Sequence, residues 1–324
     1  MCTAVSFRTD NHYFGRNLDL ERDYGEVITI TPRHFPFEFR NHKRLDNHFA
    51  IIGTAAVVSN YPLYFDGTNE HGLSMAGLNF PENARYNGID NKKDNIAPFE
   101  LIPWILAQCR NVCDAENLIK NLNITDIDFS TGLPSTPLHW LISDKEKSLT
   151  VESVKSGLKI YENPVGILTN NPTFDFHMMN LNNYINISPS QPENRFSEKL
   201  KLTPYSLGMG AMGLPGDFSS ASRFVRAAFT KFNSASSLNK NESVSQFFHI
   251  LEAVTQPDGC NRVGDGSYEY TRYSSCCNTD KGIYYYRTYF NSQISAVDMN
   301  KENLNADRLI TYDMIKSQQI KYQN

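Results

Sequence analysis

The chain has 324 residues, 40% hydrophobic and 20% charged, with 31 Lys and Arg against 35 Asp and Glu for a formal charge of −4. That balance excludes a disordered chain, a collagen-like repeat and a small disulfide scaffold. A mean hydropathy of −0.45 without a long apolar run excludes a membrane-spanning helix, and the lack of a basic cluster argues against a nucleic-acid partner.

The first 80 residues read as strands. Ala4 to Phe7, Tyr13 to Leu20, Glu26 to Thr31 and Phe49 to Val58 are rich in β-branched and aromatic residues, and Leu73 to Phe80 follows the turn Asn69-Glu70-His71-Gly72. Helical periodicity then takes over. Phe99, Leu101, Ile102, Trp104, Ile105 and Leu106 form one apolar face opening near Pro98. Ala115, Leu118, Ile119 and Leu122 form another, with Asp114 expected as N-cap. Strands return at Leu138 to Ile142, Ser148 to Ser153, Leu158 to Tyr161 and Val165 to Thr169. Phe174 to Tyr184, Ser219 to Phe232 and Val244 to Val254 read as helices, and Tyr268 to Ser275, Gly282 to Phe290 and Gln293 to Asp298 as closing strands. Strands in blocks, not alternating singly with helices, predict an α+β domain: two antiparallel sheets stacked face to face with helices outside. No linker or repeat divides residues 1–324, which are expected to form one domain.

Several signals carry no chemistry. Gly208-Met209-Gly210-Ala211-Met212-Gly213 fits G-x-G-x-x-G, but Leu214-Pro215-Gly216-Asp217 separates it from the next helix, so it reads as a loop. Gly72-Leu73-Ser74-Met75-Ala76 lacks the last glycine of a nucleophile elbow. His139, inside a predicted strand, reads as a satisfied core histidine. The cysteines Cys2, Cys109, Cys113, Cys260, Cys276 and Cys277 match neither a disulfide framework nor a metal site. With no export signal, free thiols in the cytoplasm are expected.

Cys2 stands apart by position. Methionine aminopeptidase removes Met1 before a small residue, and the new first residue would carry a thiol and a free α-amine together. With pKa values of about 8.5 and about 7.7–8.0, nucleophile and base are tied at fixed distance. Arg16 and Asp19 lie on a strand that can pair with the Cys2 strand. Arg16 would favour the thiolate, and Asp19 would hydrogen-bond the amine. Asn79 and Asn170 are polar positions in apolar surroundings, suited to an oxyanion hole made of an amide side chain and a backbone N–H.

At Met1-Cys2-Thr3-Ala4, Phe14-Gly15-Arg16-Asn17-Leu18-Asp19, Asn69-Glu70-His71-Gly72 to Asn79-Phe80, Leu168-Thr169-Asn170-Asn171-Pro172-Thr173-Phe174, and Gly213-Leu214-Pro215-Gly216-Asp217 with Ala221-Ser222-Arg223-Phe224, the chain resembles the choloylglycine hydrolases. It is most similar to their bile salt hydrolases. The resemblance runs from Cys2 to Met299-Asn300-Lys301-Glu302-Asn303-Leu304. It implies an N-terminal nucleophile hydrolase with a four-layer αββα sandwich, a cytoplasmic homotetramer without cofactor or metal. Conjugated bile salts are the implied substrates, with neither nucleic acid nor membrane as a partner.

Carried over by motif, the resemblance makes Cys2 the nucleophile, Arg16 and Asp19 its immediate partners, Asn79 and Asn170 the oxyanion and amide-positioning residues, and Arg223 a structural charge nearby. A looser alignment implies a steroid pocket of Leu18, Tyr24, Val58, Phe65, Phe129 and Leu133. Asn79 stands where the family's penicillin V acylases commonly carry tyrosine, which leans toward bile salts. The loop expected near Asp66-Gly67-Thr68 departs from the family, where alanine or a larger apolar residue is expected near Thr68. A penicillin V acylase is the nearest alternative, and a non-catalytic binder of amphipathic steroids an alternative of another class.

Overall fold

A computed structural model describes residues 1–235 and 239–324. The chain opens with six strands: β1 (Cys2–Arg8), β2 (His12–Leu20), β3 (Glu26–Thr31), β4 (Ile51–Val58), β5 (Tyr61–Asn69) and β6 (Ser74–Asn79). Then come β7 (Asp94–Ile96), a 3-10 turn over Pro98–Glu100, α1 (Leu101–Gln108), α2 (Val112–Ile119) and β8 (Leu122–Ile124). A second block holds β9 (Leu138–Ser143), β10 (Ser148–Val154), β11 (Gly157–Glu162) and β12 (Ile167–Leu168). The helices α3 (Phe174–Leu181), α4 (Ser220–Phe232) and α5 (Lys240–Glu252) precede β13 (Tyr270–Asn278), β14 (Ile283–Thr288), β15 (Asn291–Asp298) and β16 (Ile310–Asp313).

One antiparallel sheet runs β12-β1-β2-β13-β14-β15 and the other β11-β10-β9-β6-β5-β4-β3-β16. The sheets face one another. Helices α4 and α5 cover the six-stranded sheet, and α1 covers the eight-stranded one. The order is helix, sheet, sheet, helix, as predicted. Strand alternation divides the core. Ile52, Ala76 and Leu141 join the cluster that contains both β1–β2 and α4–α5. Their neighbours Ile51, Met75, Trp140 and Ile142 point to α1 and α2. No helix among the described residues is long and apolar enough to cross a membrane.

Two local expectations change. The α2 N-cap is Asn111, whose side chain accepts the Asp114 N–H at 2.9 Å; Asp114 sits in the first turn, where its carboxylate meets the Arg110 N–H. The segment Asp66-Gly67-Thr68 is no loop: it lies in β5, paired with both β4 and β6. Thr68 is buried and bonded to Ser74 Oγ at 2.8 Å, so it forms no part of a pocket wall. The β5 strand was not predicted because Pro62, Asp66 and Gly67 lower its propensity, and pairing on both sides compensates. Gly15 in β2 is forced by close approach, since a Cβ there would stand 2.0 Å from the Ser275 carbonyl oxygen in β13.

Candidate active site

Cys2 begins β1, and the register sets Cys2 opposite Leu18 and Ala4 opposite Arg16 on β2. Paired residues share a face, so Cys2, Arg16 and Leu18 all point between the two sheets. Arg16 Nη1 crosses that gap and donates to the Phe65 and Gly77 carbonyls at 2.9 and 2.6 Å. Its Nη2 is buried without a hydrogen-bond partner among the described residues. Burial alone would lower the Arg16 pKa, but Cys2, Tyr273, Asp66 and Asp19 turn the net shift upward. Beneath it the buried Asp66 accepts from the Tyr273 hydroxyl at 2.8 Å and the Ser275 hydroxyl at 3.3 Å. Burial raises the Asp66 pKa against the opposing pull of Arg16 and these hydroxyls.

Asp19, three residues from Arg16, points to the opposite, helix-covered face. Its carboxylate accepts from Thr271 Oγ1 at 2.6 Å and Gln256 Nε2 at 2.9 Å. The bond expected between Asp19 and the Cys2 nitrogen is not formed while Met1 is present. Met1 instead extends the strand pairing: its carbonyl accepts the Asp19 N–H at 3.0 Å, and its ammonium reaches Asp19 O and Glu269 Oε1, both at 2.8 Å.

The Cys2 N–H donates to Asn170 Oδ1 at 2.8 Å. That oxygen also accepts from Arg223 Nη2 at 2.6 Å. Asn170 Nδ2 donates to the Asn79 carbonyl at 2.7 Å. Arg223, fully buried on α4, further donates to the Cys2 carbonyl, to Thr3 Oγ1 at 2.7 Å and to Phe218 O at 3.0 Å. Burial lowers its pKa while Asp19, Cys2 and Glu269 oppose the shift. Asn79 ends β6 half-buried, and its side-chain amide has no hydrogen-bond partner among the described residues. One expectation fails here: the Asn170 backbone N–H is held by Ser220 Oγ at 2.8 Å and cannot face an oxyanion. An amide nitrogen has two hydrogens, so Asn170 Nδ2 retains one beyond its bond to Asn79.

The expected pocket residues divide into three groups. Leu18 is core, 2% exposed beside Cys2. Tyr24 and Phe65 meet with ring centroids 6.3 Å apart, next to the carbonyl that holds Arg16. Phe129 packs on Tyr61 and Phe99 at 5.8 and 5.2 Å. Its N–H bonds to the Leu133 carbonyl, and Val58 is the strand partner of Tyr61. Thr3, Ser220, Gln256, Thr271 and Glu269 were not foreseen. They act through contacts between distant segments, and their sequence surroundings carry no signal.

Known proteins resemble the chain along nearly its whole length. The family model for linear amide C–N hydrolases of the choloylglycine hydrolase family matches residues 2–312. The chain is 57% identical over 314 residues to a bile salt hydrolase/transferase of Lactiplantibacillus plantarum, covering 97% of each. It is 41% identical to one of Clostridium perfringens over the full length of both. The mutant C2A conjugated bile acid hydrolase of Clostridium perfringens superposes with a TM-score of 0.93 over both whole chains, at 41% identity. A penicillin V acylase of Agrobacterium tumefaciens shares the fold, with a TM-score of 0.77 at 21% identity over 96% of this chain and 91% of its own.

Proposed function

Since the chain belongs to the choloylglycine hydrolase family of linear amide C–N hydrolases, we propose that it hydrolyses the amide of glycine- and taurine-conjugated bile salts through a Cys2 thioester. The observation that carries this reading is the convergence of Cys2, Asn170, Arg223 and Asn79 from four separate segments onto one point.

Removal of Met1 exposes the Cys2 amine, which keeps Asn170 Oδ1 as an acceptor. The amine takes the thiol proton, and Arg16 on the same face favours the resulting thiolate. The thiolate attacks the acyl carbonyl. The Asn79 side-chain amide and the second Asn170 Nδ2 hydrogen stabilise the oxyanion. The Cys2 ammonium protonates the departing glycine or taurine, and water activated by the same amine releases the bile acid. Arg223 and Asp19 hold the two ends of this arrangement in register. Tyr24, Phe65, Val58, Phe129 and Leu133 offer apolar surface to the steroid, whose burial at about 25 cal/mol per Å² is the main source of selectivity.

Assembly as a homotetramer is supported by the arm between α3 and α4, where Phe196, Tyr205 and Leu207 are 80%, 83% and 90% exposed. A cytoplasmic location is supported by the free thiols. The test is glycocholate turnover by the wild type and by Cys2→Ala, together with intact mass. A product lacking Met1, turnover faster than that of penicillin V, and its loss in Cys2→Ala with binding retained are expected. Active protein that still carries Met1 overturns the mechanism, and faster penicillin V cleavage overturns the substrate.

A further inference from the structure

Two buried histidines brace the asparagine that holds Cys2. His139, on β9, and His177, on α3, are both fully buried. Their Nε2 atoms lie 2.9 Å from consecutive backbone carbonyls, Thr169 O and Asn170 O. A carbonyl only accepts, so each Nε2 carries the hydrogen. Each ring also stacks on the phenylalanine that follows a site residue. His139 lies on Phe80, after Asn79, with centroids 4.1 Å apart and planes at 6°. His177 lies on Phe224, after Arg223, at 4.8 Å and 19°. Glu152 completes the support: its Oε1 is 3.0 Å from His139 Nδ1 and accepts the Phe174 N–H at 3.1 Å.

We infer that His139 and His177 are positioning residues whose Nε2–H donors fix the Thr169 and Asn170 carbonyls and so aim the Asn79 and Asn170 amides at the reacting carbonyl, the stacks on Phe80 and Phe224 serving only to seat the rings. Neither histidine touches substrate. The other polar groups of Asn170 are all engaged, its N–H by Ser220, its Nδ2 by the Asn79 carbonyl and its Oδ1 by both Cys2 and Arg223, so the peptide planes on either side of it set where its side chain can point. A shift of a few tenths of an ångström there separates the two amides from each other and from Cys2.

This inference rests on the amide hydrolysis proposed above, and two substitutions at each position separate donor from ring. Phenylalanine keeps the stack and loses the donor, whereas glutamine keeps the donor and loses the stack. For His139→Phe and His177→Phe we expect kcat on glycocholate to fall at least tenfold, with KM within about twofold. The rate of Cys2 carboxymethylation by iodoacetate, followed on the Cys2 peptide by mass spectrometry, should stay within about twofold, because the thiol is untouched. His139→Gln and His177→Gln should lose less than threefold in kcat. Phenylalanine variants as fast as wild type, or glutamine variants that lose threefold or more, overturn the inference. If a phenylalanine variant does not fold, the glutamine variant at that position decides by the same threshold. A wild type that does not cleave glycocholate at all would instead overturn the substrate reading.

Discussion

Cys2 and Asn170 are 168 residues apart in the chain, yet the Cys2 nitrogen donates to Asn170 Oδ1 at 2.8 Å inside the protein. The same oxygen takes a guanidinium hydrogen bond from Arg223, so one amide links the first strand, the β12 exit and α4. Much of the protein's testable behaviour depends on what happens when a member of that junction is changed.

Asn79→Ala removes an amide that has no partner among the described residues, so stability should hardly change. If that amide faces the oxyanion, kcat should fall by about 100- to 1000-fold with KM nearly constant. Steady-state kinetics on glycocholate beside a thermal melt checks both halves.

Arg223→Lys keeps the charge and loses the fork. A single ammonium cannot serve the Cys2 carbonyl, Thr3 Oγ1, Asn170 Oδ1 and Phe218 O together. Stability should drop by about 2–3 kcal/mol, since a hydrogen bond to a charged group contributes about 1.5–3 kcal/mol and at least one of the four is lost. Urea denaturation reads the loss, and turnover should fall with it.

Two buried histidines make the fold acid-sensitive. Burial lowers His12 and His177 from the ordinary 6.5 to about 4. Both are therefore neutral when folded, and the unfolded chain binds more protons between pH 6.5 and 4. Their stabilisation is complete above pH 6.5 and is lost as the pH falls toward 4, by up to about 3 kcal/mol each. Denaturation midpoints at pH 7 and pH 4.5 should differ accordingly. His12→Gln, whose amide can still meet the Ser6 or Thr279 hydroxyl, should flatten the difference.

Gly15→Ala should be costly to the fold. Its Cβ would fall 2.0 Å from the Ser275 carbonyl oxygen, and β2 would have to part from β13. A loss of about 3 kcal/mol, at the upper end for overpacking, should appear as a lowered melting temperature and reduced soluble yield.

Much of this was legible in the residues themselves. The β3 strand falls at Glu26–Thr31 as predicted, and the Ser219-capped α4 differs by one residue, because period and capping are local properties. The motifs around Cys2, Arg16, Asn79, Asn170 and Arg223 identified the family from order alone. The weak strands β5, β7, β8 and β16 were not legible, since pairing with neighbours stabilises them more than their own composition does.

Linear order determined which residue types this protein has to work with, and that a sulfur stands second in the chain. Only the tertiary structure decided that Arg16 faces the inter-sheet gap while Asp19 faces Gln256, in the segment after α5. It also decided that the Asn170 N–H is occupied by Ser220, that Arg223 is buried, and that Glu269 and Asp19 O hold the Met1 ammonium. Each of those facts is a meeting of segments tens to hundreds of residues apart. Such a meeting is set by sheet register and by the need of every buried polar group for a partner, and neither quantity is local to any stretch of chain.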